Sequence, residues 1–479
     1  MKRLIFVFAW VFLTGAGQVY AQSNRSADAV VTIGPDESGN WLVEYSFAEP
    51  QQLLAFVQSG NDYRAATWTV SSGNANLARA AGLDVIVLDQ PARKVAFSVI
   101  PLTSELQGEA TPFMTFRDGA IAVHEGQFRL FPVTRSEILG DDGERLPDPD
   151  TAQLAMDTRI SSDRNIIADG EVHQGTLTNR IEDGGTYIYI GKGEIRSFEH
   201  FDAVLDATFP AWIGERFMDS VLERIFAAHE ARWGRALDKK PTVMFAYKGE
   251  RAGGLSVKGG AADDMLMVSA GGARLNEPDS DTLAYLHWYF AHEAAHLFQS
   301  EGGVRFAGEG DAWIHEGAAN MMAYTQIAAT LNDEAGPRFL ASVYGGAFEE
   351  CVSALEGGPL ASARERGVNS AHYACGDFVA LATDGFLRRR DIYSFWNTLI
   401  ERALDMESPR VDAGLYFNTL QLLGATEGQR SLIQAIVGDE APENPRKALI
   451  AMLEAAKLAP QFNAEGQLIS MDWPDYSAE

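Results

Sequence analysis

Nine histidines are spread over 479 residues, and two of them stand four positions apart in Ala291-His292-Glu293-Ala294-Ala295-His296. On a helix, residues at i and i+4 lie one above the other on the same face. That geometry lets the imidazoles of His292 and His296 close on one Zn²⁺, while Glu293 reaches water beside the metal. Downstream, Trp313-Ile314-His315-Glu316-Gly317-Ala318-Ala319-Asn320 offers a carboxylate, Glu316, near the start of another helical run. Two imidazoles and this carboxylate form a three-ligand set that leaves one position open, as in catalytic rather than structural zinc sites. His315 or Asp311 could replace Glu316 as the third ligand. Asn320, one turn beyond Glu316, could hydrogen-bond one of the ligand histidines.

The surroundings of the pair favour a metal over a hydrogen-bonded pair of core histidines. Tyr285, Leu286, Trp288, Tyr289, Phe290, Ala294, Leu297 and Phe298 make the segment apolar nearly all the way round, which predicts a buried helix. Imidazoles and a carboxylate inside such a helix cost several kcal/mol unless something compensates them, and a metal does so directly.

With these residues in place, the chain resembles the gluzincin metallopeptidases, typified by aminopeptidase N and the glycyl aminopeptidases. Trp313-Ile314-His315-Glu316-Gly317-Ala318-Ala319 is similar to the W-L-x-E-G-x-A segment that carries the third ligand in those families. The interval from His296 to Glu316 is one residue longer than in the aminopeptidase N pattern. Tyr373-Ala374-Cys375-Gly376 resembles the Y-x-K-G segment whose tyrosine stabilises the oxyanion, with Cys375 where lysine is usual. Gly260-Ala261-Ala262-Asp263-Asp264 is similar to the G-A-M-E-N segment whose acid binds the free amino terminus, so Asp263 would be the amine anchor. The resemblance implies a zinc peptidase with one Zn²⁺, Glu293 as general base and Tyr373 as oxyanion donor. It also implies a thermolysin-like catalytic domain: a small mixed sheet, the H-E-x-x-H helix and a helical C-terminal subdomain. Glycyl aminopeptidases usually carry a terminal PDZ module, and no such β-patterned stretch is expected here. The departures from the family pattern leave a non-catalytic binding protein, or a zinc hydrolase of non-peptide amides or esters, as alternatives.

Positioning these groups falls to the elements around them. Asp279, Ser280 and Asp281 are candidate caps for the histidine helix, Gly302-Gly303 can end it, and Asp311 could cap the Glu316 helix. Pro210 to Gly234 carries a helical pattern through Phe217, Val221, Ile225 and Phe226. Residues 243–247 and 265–268 read as strands, the second supplying a sheet edge that could hold an extended peptide. Beyond Asn320 helices are expected at 321–331, 378–386, 393–404, in pieces over 420–437, and at 445–456, with the last dozen residues as tail.

Residues 22–194 differ in texture. Alternating runs at 41–45, 83–88, 95–99 and 127–131, broken by Gly, Asn, Asp and Pro, predict an antiparallel β-domain. The polar stretch 140–150 is a long loop within it or a boundary. His124 and His173 are expected to be surface or loop residues rather than ligands. The catalytic domain would then span 195–479, giving a multidomain β plus α/β protein.

Residues 1–21 read as a secretory signal: Lys2 and Arg3, an apolar run from Leu4 to Leu13, and Val19-Tyr20-Ala21 as a cleavage site. The run is too short to span a membrane, and no later one is long enough, so a periplasmic or extracellular protein is expected. The formal net charge of −27 argues against nucleic acid and anionic membrane as partners, while the resemblance implies a peptide substrate. Two cysteines, Cys351 and Cys375, could form a bridge in an oxidising compartment and would then pin the segment holding Tyr373; separate buried thiols are the alternative.

Overall fold

The computed structural model describes residues 26–473, except 36–39, 105–109, 141–144, 182–183, 251–253, 263 and 388–390. The expected signal at 1–21 lies outside the described residues. An N-terminal curled β-sheet leads into a smaller mixed sheet and a helical C-terminal part.

The first sheet has eleven strands among the described residues and is built on two long antiparallel strands, Trp41–Phe56 and Leu83–Val99, paired from Trp41 opposite Val99 onward. Ala29–Pro35 pairs antiparallel with the first of these and parallel with Met156–Ala168. Alternation decides the faces, since Val31, Ile33, Val43, Tyr45, Val95, Phe97 and Val99 are all fully enclosed on one side. Within this core Arg64 pairs with Asp84 at 2.8 Å and lies 3.9 Å over the Phe56 ring. The run expected at 127–131 is instead a 3₁₀ turn, Glu125–Phe128, followed by a short strand, Leu130–Pro132. Stretch 140–150 falls in the sequence between Leu130–Pro132 and Met156–Ala168, two strands of this same sheet. His124 is only 5% exposed, contrary to a surface position. Its two apolar neighbours in the strand pull it into the wall, and burial lowers its pKa to about 4.

The second sheet runs in the order Arg196–Ser197, Asp202–Leu205, Thr242–Tyr247, Met265–Gly271, Ser256–Ala262. Its two central strands are buried on both faces, as continuous apolar runs require. Val243, Phe245, Leu266 and Val268 pack on Leu286, Phe290 and Ala294 of the helix Ser280–Gln299. Met244, Ala246, Met265 and Met267 face the opposite way, into Met114, Ala122, Ile167 and Tyr189 of the N-terminal sheet. A shared apolar core therefore fixes the two sheets against each other.

The sheet edge is not where the sequence suggested. Met265–Gly271 is interior, and the edge is Ser256–Ala262, whose Gly-Gly-Ala-Ala stretch carries no strand pattern. The strand is made by pairing along its whole length with its neighbour. The run 210–234 begins as π-helical turns over Ile213–Leu222, continues as an α-helix to Trp233 and stops at left-handed Gly234. Asp279 caps the histidine helix through a 2.7 Å bond from the Thr282 N–H. Asp311 does not cap the Glu316 helix, which starts after Ala312 without a side-chain cap; its carboxylate accepts from the Ala413 N–H at 3.2 Å.

The remaining helices pack round one apolar core. Ala335–Glu356 is a helix absent from the sequence reading, because Gly336, Gly345 and Gly346 interrupt its pattern. Of the last dozen residues, the described ones, 468–473, are not a tail: a two-stranded hairpin, Gln461–Phe462 with Leu468–Ser470, packs on that helix, and Leu468 and Met471 are 3% exposed. Among the described residues no helix is long and apolar enough to cross a membrane.

Candidate metal centre

Helix Ser280–Gln299 places His292 and His296 one turn apart, and helix Trp313–Thr330 brings Glu316 against them. His292 Nε2 and His296 Nε2 are 3.1 Å apart, and each faces Glu316 Oε2, at 3.1 and 3.2 Å. Four tetrahedral ligands at zinc distances of about 2.0–2.1 Å stand roughly 3.3 Å from one another. The triangle of donor atoms therefore fits one ion. Without a cation, either two lone-pair nitrogens and an anionic oxygen converge in a poorly solvated place or a proton must take the place of the ion. Burial works against a charged His296, yet the Glu316 carboxylate overrides it and raises the pKa to about 9. Burial would likewise favour neutral Glu316, but His296 and His292 hold its pKa well below the usual carboxylate range. A positive charge is wanted at the centre of the triangle.

His315 is not a member of this set. Its Nε2 lies 3.5 Å from the other oxygen of Glu316, and its ring stacks on Phe306 at 4.3 Å. Asp311 is committed to Ala413. Gln299, which the sequence reading missed, accepts from His296 Nδ1 at 2.8 Å and donates to the His315 carbonyl at 3.1 Å. It fixes the His296 tautomer so that Nε2 presents a lone pair to the triangle. The available signal was its place three residues beyond His296, on the same helical face.

Asn320 does not bond a ligand histidine in the way its spacing suggested. Its amide oxygen accepts from Trp288 Nε1 at 3.1 Å, and it also hydrogen-bonds buried Asp377, whose pKa desolvation pushes far up. Trp288 in turn packs on His292, ring centres 5.7 Å apart, so Asn320 acts on that ligand through an intervening indole. The reason is geometric: Trp288 lies one turn before His292 and fills the space between the two helices.

Glu293 turns from the triangle to the edge strand, where its Oε2 accepts from the Ala261 N–H at 3.1 Å. Desolvation raises its pKa, opposed by His292 and His296. Tyr373 sits on helix Ser370–Phe386 with its ring 5.7 Å from that of His292, and its phenol hydrogen-bonds Glu316. The Glu316 and Tyr373 helices cross at a glycine pair. A Cβ at Gly317 would lie 2.0 Å from the Gly376 carbonyl carbon, and one at Gly376 would lie 2.5 Å from the Trp313 carbonyl oxygen. Both motif glycines thus serve a backbone contact. Cys375 is joined to Cys351, tying the Tyr373 helix to Ala335–Glu356 at a Cα separation of 4.9 Å. Asp263 lies outside the described residues; its neighbour Ala262 ends the edge strand.

His292, Glu293 and Tyr373 line a cavity of about 1360 Å³ between the two sheets. Its near wall is the edge strand, Trp288 and Tyr289, and its far wall comes from the N-terminal part, including Thr115 and Tyr187 of the sheet and Thr103 of a connecting segment.

No protein-family model matches this sequence, and no curated protein matches it. Solved structures do match in shape. An aminopeptidase N family protein from Idiomarina loihiensis aligns over 89% of this chain and 78% of its own, with a TM-score of 0.62 and 11% identity. A mutant M1 zinc metallopeptidase from Deinococcus radiodurans aligns over 87% of this chain and 95% of its own, with a TM-score of 0.50 and 15% identity. The chain shares the fold of these proteins.

Proposed function

We propose that the chain is a zinc-dependent metallopeptidase, and an aminopeptidase among these. The observation that carries the reading is the convergence of His292, His296 and Glu316 on one point in the wall of a cavity that also holds Glu293 and Tyr373. A shared fold with M1 metallopeptidases, at low identity, supports it. Cys375, where the family pattern has lysine, is employed in a disulfide, so the departure does not by itself speak for a retired site.

His292, His296 and Glu316 would hold one Zn²⁺. Zinc bound there supplies a Lewis acid for the scissile carbonyl and lowers the pKa of water to about 7. Glu293, with one oxygen steadied by the Ala261 N–H, takes a proton from water and returns it to the departing amine. Its raised pKa suits both halves of that task. Tyr373 offers its phenol to the developing oxyanion. The free edge of Ser256–Ala262 would hold the peptide extended, and Asp263, directly after it, would take the ammonium of the amino terminus.

The change from one sheet to the next between Gly191 and Arg196 supports a domain boundary near residue 194, with 22–194 and 195–479 as the two units. The pattern of residues 1–21 and the presence of a disulfide favour export.

Purified mature protein is expected to bind close to one zinc per chain and to hydrolyse peptides with a free amino terminus faster than their acetylated counterparts. Glu293→Gln should keep the metal and lose roughly 10²-fold or more in kcat. Full activity in that variant defeats the mechanism. Equal cleavage of blocked and free peptides leaves a metallopeptidase but removes the aminopeptidase assignment.

A further inference from the structure

Apart from Glu293 and the ligand His292, the charged side chains lining the cavity among the described residues are two lysines, Lys248 and Lys258. In a chain of net charge −27 this reverses the prevailing sign. Lys248 follows the strand Thr242–Tyr247 and crosses to the N-terminal domain. There its ammonium donates to Thr103 Oγ1 at 2.9 Å, to the Thr115 carbonyl at 2.7 Å and to Thr115 Oγ1 at 3.3 Å.

Hydrogen-bond accounting extends that charge into the cavity. Thr103 Oγ1 accepts from Lys248 and from the Thr115 N–H at 3.0 Å, which fills its two acceptor positions. Its own proton must then go to Thr115 Oγ1, 3.0 Å away. Thr115 Oγ1 now accepts twice, from Thr103 and Lys248, so its O–H proton remains to be donated elsewhere. Each bond in such a chain strengthens the next. Both threonines line the cavity. The carboxylate that acts on Lys248, Asp206, already accepts from the N–H groups of Arg117, Tyr247 and Thr208. Burial lowers the Lys248 pKa to about 8, with Asp206 opposing, so the amine is still mostly charged at neutral pH.

Register gives the distance from the chemistry. Tyr247, next to Lys248, stands opposite Ala270, and Ala270 stands opposite Val257 of the edge strand. Glu293 grips the same strand at Ala261, four residues on, about 13 Å measured along the strand, with Lys248 two strands in from the edge. A peptide added antiparallel to this edge, the stronger pairing, runs from the Ala262 end toward the Ser256 end. Its residues after the scissile bond therefore travel toward Lys248 and Lys258.

We propose that the cavity selects peptides that present a carboxylate a few residues beyond the scissile bond, received by the Thr115 hydroxyl under the charge of Lys248. In short peptides that carboxylate is the C-terminus, which makes free-acid oligopeptides the substrate class. The inference rests on the peptidase reading of the cavity, so its test separates binding from turnover.

Zinc-loaded Glu293→Gln protein would be titrated calorimetrically with a pentapeptide as free acid, as C-terminal amide, and as amide with Glu at the last position. The acid should bind about tenfold more tightly than the plain amide, the scale of one charge-assisted hydrogen bond. Lys248→Met and, separately, Thr115→Val should shrink that gap below about threefold. Thr115→Val keeps the Lys248 bonds to Thr103 and to the Thr115 carbonyl, so it reports even if Lys248→Met loosens the domain contact. Recovery of affinity by the Glu-containing amide assigns the receptor to any carboxylate at that reach, and no recovery assigns it to the chain terminus alone. Equal binding of acid and amide overturns the inference. Failure of the wild-type protein to cleave any of the peptides, with the acid still preferred in binding, sinks the peptidase reading and leaves the carboxylate site standing.

Discussion

At the scale of single residues, the site depends as much on what holds the ligands as on the ligands. Gln299 is the clearest case, because it touches no donor of the triangle except His296, through Nδ1 at 2.8 Å. Gln299→Leu removes that acceptor and frees the imidazole to rotate or to choose the other tautomer. Zinc affinity should fall about 10–100-fold, measured by competition with a chromophoric chelator, with little change in the far-ultraviolet spectrum. Unchanged affinity would mean that packing alone, including the ring of His292 at 4.7 Å, orients His296. Trp288 and Asn320 support the other histidine more indirectly, so Asn320→Ala is a weaker test of the same idea.

At the scale of elements, the crossing of the Glu316 and Tyr373 helices sets the depth of the site. The two backbones meet at Gly317 and Gly376 with no room for a β-carbon on either. Gly317→Ala must push the helices apart, moving Glu316 off the histidines and Tyr373 off Glu316 together. Overpacking of this kind costs about 1–3 kcal/mol, which a urea titration would read. The same variant should lose zinc at chelator concentrations the wild type withstands. A fully stable, metal-retaining Gly317→Ala would show that the crossing tolerates relaxation. The disulfide at Cys375, one residue from this crossing, braces the helix from its other side.

At the scale of the whole molecule, neutral histidines buried in both halves tie stability to pH. Burial holds His124 in the N-terminal sheet and His229 and His287 in the C-terminal part at pKa values of about 4, below their ordinary 6.5. His229 is a structural tie, donating to the Ala291 carbonyl beside the first ligand at 2.8 Å. As pH falls from 6.5 to 4 the unfolded chain takes up protons that the folded chain refuses, so stability present above 6.5 is lost across that window. Glu125, whose pKa burial raises to about 7, works the other way, since the folded state holds its proton until that pH. Asp377 and Glu293, also raised by desolvation, act in the same direction as Glu125, so the histidine share is read by difference: the wild-type urea midpoint measured relative to that of His124→Gln should drop on acidification from pH 7 to 5. A relative midpoint that rises over that interval would contradict the assignment. The contact between the two sheets is apolar at its centre, Met244, Ala246, Met265 and Met267 against the N-terminal sheet, and that part should be insensitive to salt, unlike the charged contacts of Lys248 and Asp206 beside it.

Local chemistry alone made some of this molecule legible. His292 and His296 at helical spacing, the apolar faces around them, the cap at Asp279 and the alternation at 41–45, 83–88 and 95–99 follow from periods of 3.6 and 2.0 that any isolated segment carries. Tertiary structure decided what depends on partners distant in the chain. Ser256–Ala262 is a strand only because Met265–Gly271 pairs with it, Asp311 serves Ala413 a hundred residues away rather than its own helix, and Leu468 and Met471 are core because Ala335–Glu356 receives them. Lys248 meets its threonines only because two sheets share an apolar core. Residue type and spacing declare which groups can do chemistry. Which of them face one another is settled by long-range packing, where burial of apolar area outweighs local preference.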